Sequence, residues 1–326
     1  MGNSKIPETI ISNIGLIPED GLQYGQLGNL IALFSISRNG NLVPSSVLRK
    51  HLIQIISRNT LDGSYTSGIL GIMIGVLFLK INGFIEIDFD EIFYKQHDKL
   101  MRFSDSLDMS SETSRFNYLE LLIYEYLLAK NDSESSLATD VFEETKIAEF
   151  YKLDDINDVD KLYSYSQLAR RFILLHNLDA PFVTKKFVNE FLTCILESSK
   201  QNAVLSYDSD FLVDAFRYSK ENKQDGILRL VTDCIEDYIR NIKFNSIHYK
   251  EVISSYNLLS VVKFAEAFKG AICCRIMDDM ECRINDFGGL LCQNTKLEVL
   301  MGLRGGLSRH VIYKNDNLVY KEAILL

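Results

Sequence analysis

Two kinds of apolar pattern alternate along this chain. In the first, apolar residues fill nearly every position, as in GQLGNLIALF from Gly25 and GILGIMIGVLF from Gly68, which is typical of helices buried on all sides. In the second, apolar residues recur every three to four positions, which predicts helices with one solvated face. Segments of the second kind are PSSVLRKHLIQIISRN, DFDEIFYKQHDKLMRF with Asp88 as N-cap, KKFVNEFLTCILESS after Thr184, and GILRLVTDCIEDYIRNI from Gly226. The alternation predicts helical hairpins, each with one enclosed helix and one half-exposed helix.

This hairpin unit repeats along the whole chain. Further enclosed segments are NYLELLIYEYLL, SQLARRFILL, SDFLVDAFRY, NLLSVVKFAEAF and GLRGGLSRHVIY, so the seven starts fall at 25, 68, 117, 166, 209, 257 and 302. Regular spacing is the signature of repeat architectures. We therefore expect an all-α fold with a single domain over residues 1–326, in which seven helical hairpins close into an α/α toroid. An open solenoid of the same hairpins is the alternative.

Composition supports a helical chain and excludes several classes of function. Only four prolines occur, three of them before residue 45, whereas proline is needed at the turns of an all-β chain and disrupts helix interiors. The 35 Lys+Arg and 44 Asp+Glu give a net charge of −9, which argues against nucleic acid as a partner. The longest apolar run, residues 68–79, is too short for a membrane span. Without a signal segment before the cysteines, we expect a cytoplasmic protein with reduced thiols.

Helical hairpins whose enclosed helices begin Gly-x-x-Gly resemble the lanthionine synthetase C-like (LanC-like) family, the lantibiotic cyclases. The resemblance covers nearly the whole chain and is strongest at GLQYGQLGNLIALF, TSGILGIMIGVLFLKINGFIEIDFDEIF and LEVLMGLRGGLSRHVIYKNDNLVYKEAILL. It implies a protein of lanthipeptide modification, in which a peptide cysteine adds to a dehydroalanine or dehydrobutyrine that a dehydratase made beforehand. In such cyclases, a zinc ion held by two cysteines and a histidine binds the substrate thiol as thiolate, the reactive nucleophile.

The resemblance also shows which residues occupy the zinc-ligand positions. The family motif Trp-Cys-x-Gly-Asp-x-Gly matches VLSYDSDFL, which places Tyr207 at the cysteine. The family's Cys-His pair matches ISSYNLL, which places Ser255 and Tyr256 there. Hydroxyl oxygens hold their protons far more tightly than thiols do and are poor zinc ligands near neutral pH. We therefore expect no metal and no other cofactor, with zinc only if the family site is retained in another form.

Two further groups of residues are candidates for chemistry or binding. Asp208 and Asp210 flank Ser209 and could act as acid and base, as in glycosidases, although N-capping of the helix is the simpler interpretation. Both aspartates are also candidate lumen residues, together with Arg304 and His310 of the last enclosed helix.

Other polar and thiol groups have simpler interpretations. Arg170, Arg171 and Arg309 lie on enclosed helices, where we expect them at a solvated rim. Four late cysteines lack the Cys-x-x-Cys spacing of a zinc knuckle and are expected to be small buried apolar residues; they are Cys273, Cys274, Cys282 and Cys292.

Three functions are compatible with these patterns. The favoured one is a LanC-like protein without cyclase activity that binds a peptide substrate or leader peptide, with a dehydratase as a further candidate partner. The second is an active thioether-forming cyclase with an atypical metal site. The third is an α/α-toroid carbohydrate-active enzyme that uses Asp208 or Asp210, an interpretation weakened by the absence of tryptophan from the sequence.

Overall fold

All regular secondary structure in the described part of the chain is helical. The computed structural model describes residues 21–22, 26–40, 45–58, 63–65, 68–131, 146–147, 150, 159–202, 209–241, 258, 312 and 318–325. Its helices are α1 Gln26–Gly40, α2 Ser45–Ser57, α3 Ile69–Ile81, α4 Phe89–Asp105, α5 Glu112–Asn131, α6 Val159–Asn177, α7 Lys185–Asn202, α8 Ser209–Glu221, α9 Asp225–Asn241 and α10 Glu322–Leu325. No strand occurs among these residues. The expected all-α class is therefore confirmed for this part of the chain.

Side-chain caps determine where two of the half-exposed helices begin. The Asp88 carboxylate accepts a hydrogen bond from the backbone N–H of Glu91 at 3.0 Å, at the start of α4. The Thr184 hydroxyl accepts one from the N–H of Phe187 at 3.2 Å, at the start of α7. Each bond satisfies a backbone donor that has no partner within the helix. The predicted N-cap at Asp88 is confirmed.

The chain divides into two compact units. Unit 1 comprises residues 1–106, 127–139 and 278–326, and unit 2 comprises residues 107–126 and 140–277. In unit 1, α1 packs with α2 and α3 packs with α4, so both predicted hairpins form, and α1 also packs against α3. Every residue of α3 from Ile69 to Leu79 is buried, which confirms the enclosed helix predicted there. The single domain expected over residues 1–326 stays a prediction.

The second glycine of each described Gly-x-x-Gly motif permits the same close approach. A Cβ atom at Gly28 would overlap the backbone carbonyl oxygen of Leu22, and one at Gly71 would overlap that of Tyr65. In both copies, the carbonyl belongs to the residue six positions earlier. Only glycine leaves room for a backbone at that distance, so the motif lets the segment before the helix lie against its first turn.

Residues 318–325, here called the strap, pack against α3 and the segment that precedes it. The Tyr65 hydroxyl donates to the carbonyl of Ala323 at 2.7 Å. The Asn82 amide donates to the carbonyl of Val319 at 3.1 Å and accepts from its N–H at 2.8 Å. The side chains of Leu318, Ala323 and Ile324 are buried. The strap thus joins the second hairpin to residues more than 230 positions away in sequence.

Unit 2 is organised in the same way. α6 packs with α7 and α8 with α9, while the enclosed helices α6 and α8 contact each other and so do the half-exposed helices α7 and α9. The two kinds of helix therefore form two layers. Phe172 of α6 lies at the centre of the aromatic core, with its ring centroid 5.7 Å from that of Phe150, 4.9 Å from Phe187 and 5.3 Å from Phe191.

Among the described helices, none combines the length and the apolar character that crossing a bilayer requires.

Candidate functional site

Two buried ion pairs link the enclosed helices of unit 2. Arg170 of α6 donates from Nε to the Asp214 carboxylate of α8 at 2.8 Å, and both side chains are buried. Arg171, the next residue of α6, donates from Nε to the Glu120 carboxylate of α5 at 3.1 Å. Its Nη2 donates to the same carboxylate oxygen. α6 is therefore tied to the two enclosed helices α5 and α8 by charged hydrogen bonds.

The ion pair between Arg171 and Glu120 makes further contacts with its surroundings. The Arg171 Nη1 atom donates to the carbonyl of Gln167 at 3.0 Å, one turn earlier on α6. The guanidinium carbon lies 4.6 Å from the ring centroid of Phe116, within the range of a cation–π contact. Burial raises the pKa of Glu120 above its ordinary value, and the positive charge and hydrogen bonds of Arg171 offset part of that rise.

The burial of both arginines corrects an expectation from sequence. Arg170 and Arg171 were expected at a solvated rim, but their relative exposures are 2% and 7%. A charged side chain buried without a partner costs several kcal/mol, so an arginine within an apolar helix must find a carboxylate there. Because each guanidinium charge is paired with a carboxylate and all four side chains are buried, we assign these ion pairs to positioning the helices.

Asp210 is a candidate from sequence that lies among the described residues. It is buried in the first turn of α8, four residues before Asp214, and residues at that spacing share one helix face. The structure thus places Asp210 on the helix face that carries the Arg170 partner. Its proposed role as an acid or base with Asp208 stays a prediction, because Asp208 lies outside the described residues.

A second polar network connects α7, α8 and the turn before α9, at the other end of α8. The Tyr218 hydroxyl donates to the Asn189 amide oxygen at 3.0 Å, and the Asn189 amide donates to Gln224 at 2.9 Å. His176 donates from Nδ1 to the carbonyl of Val183 at 3.1 Å and packs edge-on against the Tyr218 ring. Burial raises the pKa of Tyr218 to about 12, so this phenol stays protonated at physiological pH and acts as a donor.

The remaining candidates from sequence lie outside the described residues. They are Tyr207, Asp208, Ser255, Tyr256, Arg304 and His310, together with Arg309 and the four late cysteines. Cys194 and Cys234 are described and form no disulfide, the first exposed and the second buried. Within the described ranges, no group of three or more His, Cys, Asp or Glu side chains is arranged to hold a metal ion. The expected loss of the zinc site stays a prediction.

Glu120 and Asp214 were not predicted from sequence, although both left a signal. Each carboxylate interrupts an enclosed apolar segment, Glu120 in NYLELLIYEYLL and Asp214 in SDFLVDAFRY. A charge inside such a segment must be paired when it is buried. The sequence therefore indicated buried ion pairs with the two arginines of SQLARRFILL, but the same segments also contain Glu125 and Asp210, so it did not determine the partners.

Comparison of this chain with models of protein families, with curated proteins and with solved structures found no match.

Proposed function

We propose that this chain is a LanC-like protein that binds a peptide during lanthipeptide-type modification and has lost the zinc chemistry of the cyclases. The observation that carries the proposal is the contact made by both described Gly-x-x-Gly motifs. In each, the second glycine lies against the carbonyl of the residue six positions earlier. A contact repeated at the same register in two hairpins supports a true structural repeat.

The arrangement of helices supports a toroid of seven hairpins as its architecture. In unit 2, enclosed helices pack side by side and half-exposed helices pack side by side, as they would in consecutive hairpins of a ring. In unit 1, the strap contacts the second hairpin although it follows the last repeat in sequence. Closure of the repeats into a ring would account for that contact, whereas an open solenoid separates its first and last repeats.

The residues at the ligand positions support a binding role without zinc chemistry. Tyr207, Ser255 and Tyr256 stand where the family has two cysteines and a histidine. Zinc raises the thiolate population of a substrate cysteine only if the protein first holds the ion. A cytoplasmic protein with these residues would bind a substrate or leader peptide, with a dehydratase as a candidate second partner, and leave ring closure to another protein.

Metal analysis together with a thiol assay tests this proposal. The full chain is purified with zinc present, desalted and analysed by mass spectrometry for metal; we expect far less than one zinc per chain. The chain is then incubated with a dehydrated, cysteine-containing peptide, and free thiol is followed over time against a no-protein control. We expect saturable peptide binding without accelerated thiol loss. Stoichiometric zinc, or thiol loss that depends on the protein, would instead favour an active cyclase with an atypical metal site.

A further inference from the structure

We propose that the strap is an autoinhibitory segment that occupies, within the same chain, a surface on α3 where a separate peptide of the same pattern binds. The surface and the strap are defined by contacts within unit 1. That the separate peptide is the modification substrate rests on the proposed function.

Three hydrogen bonds from the surface reach the backbone of the strap. The Tyr65 hydroxyl and the Asn82 amide make three hydrogen bonds to the strap, and all three end on main-chain atoms of Val319 or Ala323. Main-chain hydrogen bonds supply affinity for a peptide without selecting its sequence, while side-chain pockets supply selectivity. This kind of surface fits a peptide partner better than a small molecule or a nucleic acid.

The burial of the strap side chains indicates which residue types the surface selects in a peptide. Leu318, Lys321, Ala323 and Ile324 are buried, whereas the Val319 side chain is 51% exposed. A competing peptide therefore needs an apolar residue at its first position, lysine at its fourth, a small residue at its sixth and an apolar residue at its seventh. The second position is free to vary, because it contributes backbone hydrogen bonds only.

The conformation of the docked strap depends on its contacts with α3, because the strap contains little secondary structure of its own. α10 has four residues, which is too short for a helix that persists in water by itself. Tyr320 has a φ of 55°, a left-handed conformation that is unfavourable for a residue with a side chain. A segment of this kind leaves its surface as a unit, and its departure frees the Tyr65 hydroxyl and the Asn82 amide for another backbone.

The Gly-x-x-Gly motif positions this surface. A side chain at Gly71 would overlap the Tyr65 carbonyl, so the glycine is what lets Tyr65 lie beside the first turn of α3. The same residue then reaches Ala323 through its hydroxyl. One motif therefore sets both the start of the enclosed helix and the position of the strap.

The test measures binding of a fluorescently labelled peptide, residues 317–326, to the full chain by anisotropy. In the Ala323→Asp variant, a charge at a buried strap position releases the strap while the added peptide keeps its alanine. We expect at least a tenfold gain in apparent affinity over the unsubstituted chain, because the competing segment no longer fills the surface. Val319→Asp is the matched control, since that side chain is exposed, and it should bind the peptide as weakly as the unsubstituted chain.

A second substitution tests the surface itself. Tyr65→Phe, added to Ala323→Asp, removes one hydrogen bond to the peptide and should weaken binding on the order of fivefold. Tyr218→Phe, added to Ala323→Asp, removes a buried tyrosine hydroxyl bond in unit 2 and should leave peptide affinity unchanged. Equal affinities for Ala323→Asp and Val319→Asp in folded protein would overturn the proposal, as would equal effects of the two tyrosine substitutions.

Hydrogen exchange on the unsubstituted chain provides a readout that does not depend on any variant folding. The amides of Val319, Ala323 and Ile324 should exchange through a local opening, at least a hundredfold faster than buried amides of α3. Exchange of the strap only together with α3 would overturn the proposal. A dehydrated precursor peptide is finally added as competitor: displacement of the labelled peptide supports the substrate assignment, whereas binding without displacement supports the strap and contradicts the proposed function.

Discussion

Arg170 and Arg171 are adjacent on α6, yet their guanidinium groups pair with carboxylates on two different helices. Arg170 contacts Asp214 of α8, and Arg171 contacts Glu120 of α5. Consecutive residues of a helix project about 100° apart, so one dipeptide can reach two different neighbouring helices. These pairs fix how α5, α6 and α8 are arranged, because sliding or rotating any of them would leave a charge buried and unpaired.

Replacing one partner of such an ion pair should destabilise the protein far more than replacing both partners by apolar residues. We expect Arg170→Met to lower the free energy of unfolding by about 3 to 5 kcal/mol, because Asp214 is left buried without its partner charge. The double variant Arg170→Met with Asp214→Leu should recover most of that loss. Urea denaturation followed by circular dichroism measures both.

An exposed ion pair in the same chain is the control for this prediction. Arg102 and Asp98 lie 2.7 Å apart on α4, with side-chain exposures of 79% and 57%. Arg102→Met should change the free energy of unfolding by less than about 0.5 kcal/mol. If Arg170→Met and Arg102→Met had equal effects, the buried pairs would not have the structural role assigned here.

The glycine contact of the repeat predicts opposite effects for two Gly→Ala substitutions. Gly71→Ala should lower the free energy of unfolding by about 3 kcal/mol, because the new methyl group overlaps a backbone carbonyl and the segment must shift. Gly226→Ala, in the first turn of α9, meets no atom within 4 Å and should raise it by up to about 1 kcal/mol. Thermal and urea unfolding measure both variants. Equal effects would show that the glycine of the motif is not needed for the close approach.

Stability should depend on pH through His97, which is buried on α4. Burial lowers its pKa from 6.5, while Asp90 and Asp98 act in the opposite direction. The unfolded chain therefore takes up a proton at a higher pH than the folded chain does. The stabilisation from neutral His97 is present above pH 6.5 and is lost as the pH falls toward the lowered pKa, by about 1.4 kcal/mol for each unit of lowering.

The contribution of His97 is isolated by urea unfolding of two proteins, the unsubstituted chain and His97→Gln. Each is measured at pH 7.5 and at pH 5.5. The glutamine does not titrate, so the loss of stability between the two pH values should be smaller in the variant. A variant that loses as much stability as the unsubstituted chain would assign the pH dependence to other groups.

The helices were predictable from sequence, because local signals determine them. The Asp88 and Thr184 caps and the wholly apolar run of α3 needed no knowledge of the tertiary structure. The partners of Arg170 and Arg171 were not predicted, because helical periodicity shows which residues are enclosed but not which helices become neighbours. A bond such as that from Tyr65 to the Ala323 carbonyl depends on the path of the backbone, which side-chain patterns do not report.

We propose that hydroxyl-bearing residues occupy the positions of a LanC-like zinc site, and rebuilding that site tests this proposal. The triple variant carries Tyr207→Cys, Ser255→Cys and Tyr256→His. Its control moves the adjacent pair by one residue, with Tyr207→Cys, Ser254→Cys and Ser255→His. Zinc binding is measured by competition with a chromophoric chelator. We predict that the triple variant binds about one zinc per chain and far more tightly than the control; equally weak binding by both variants would show that these residues are not in the LanC-like register.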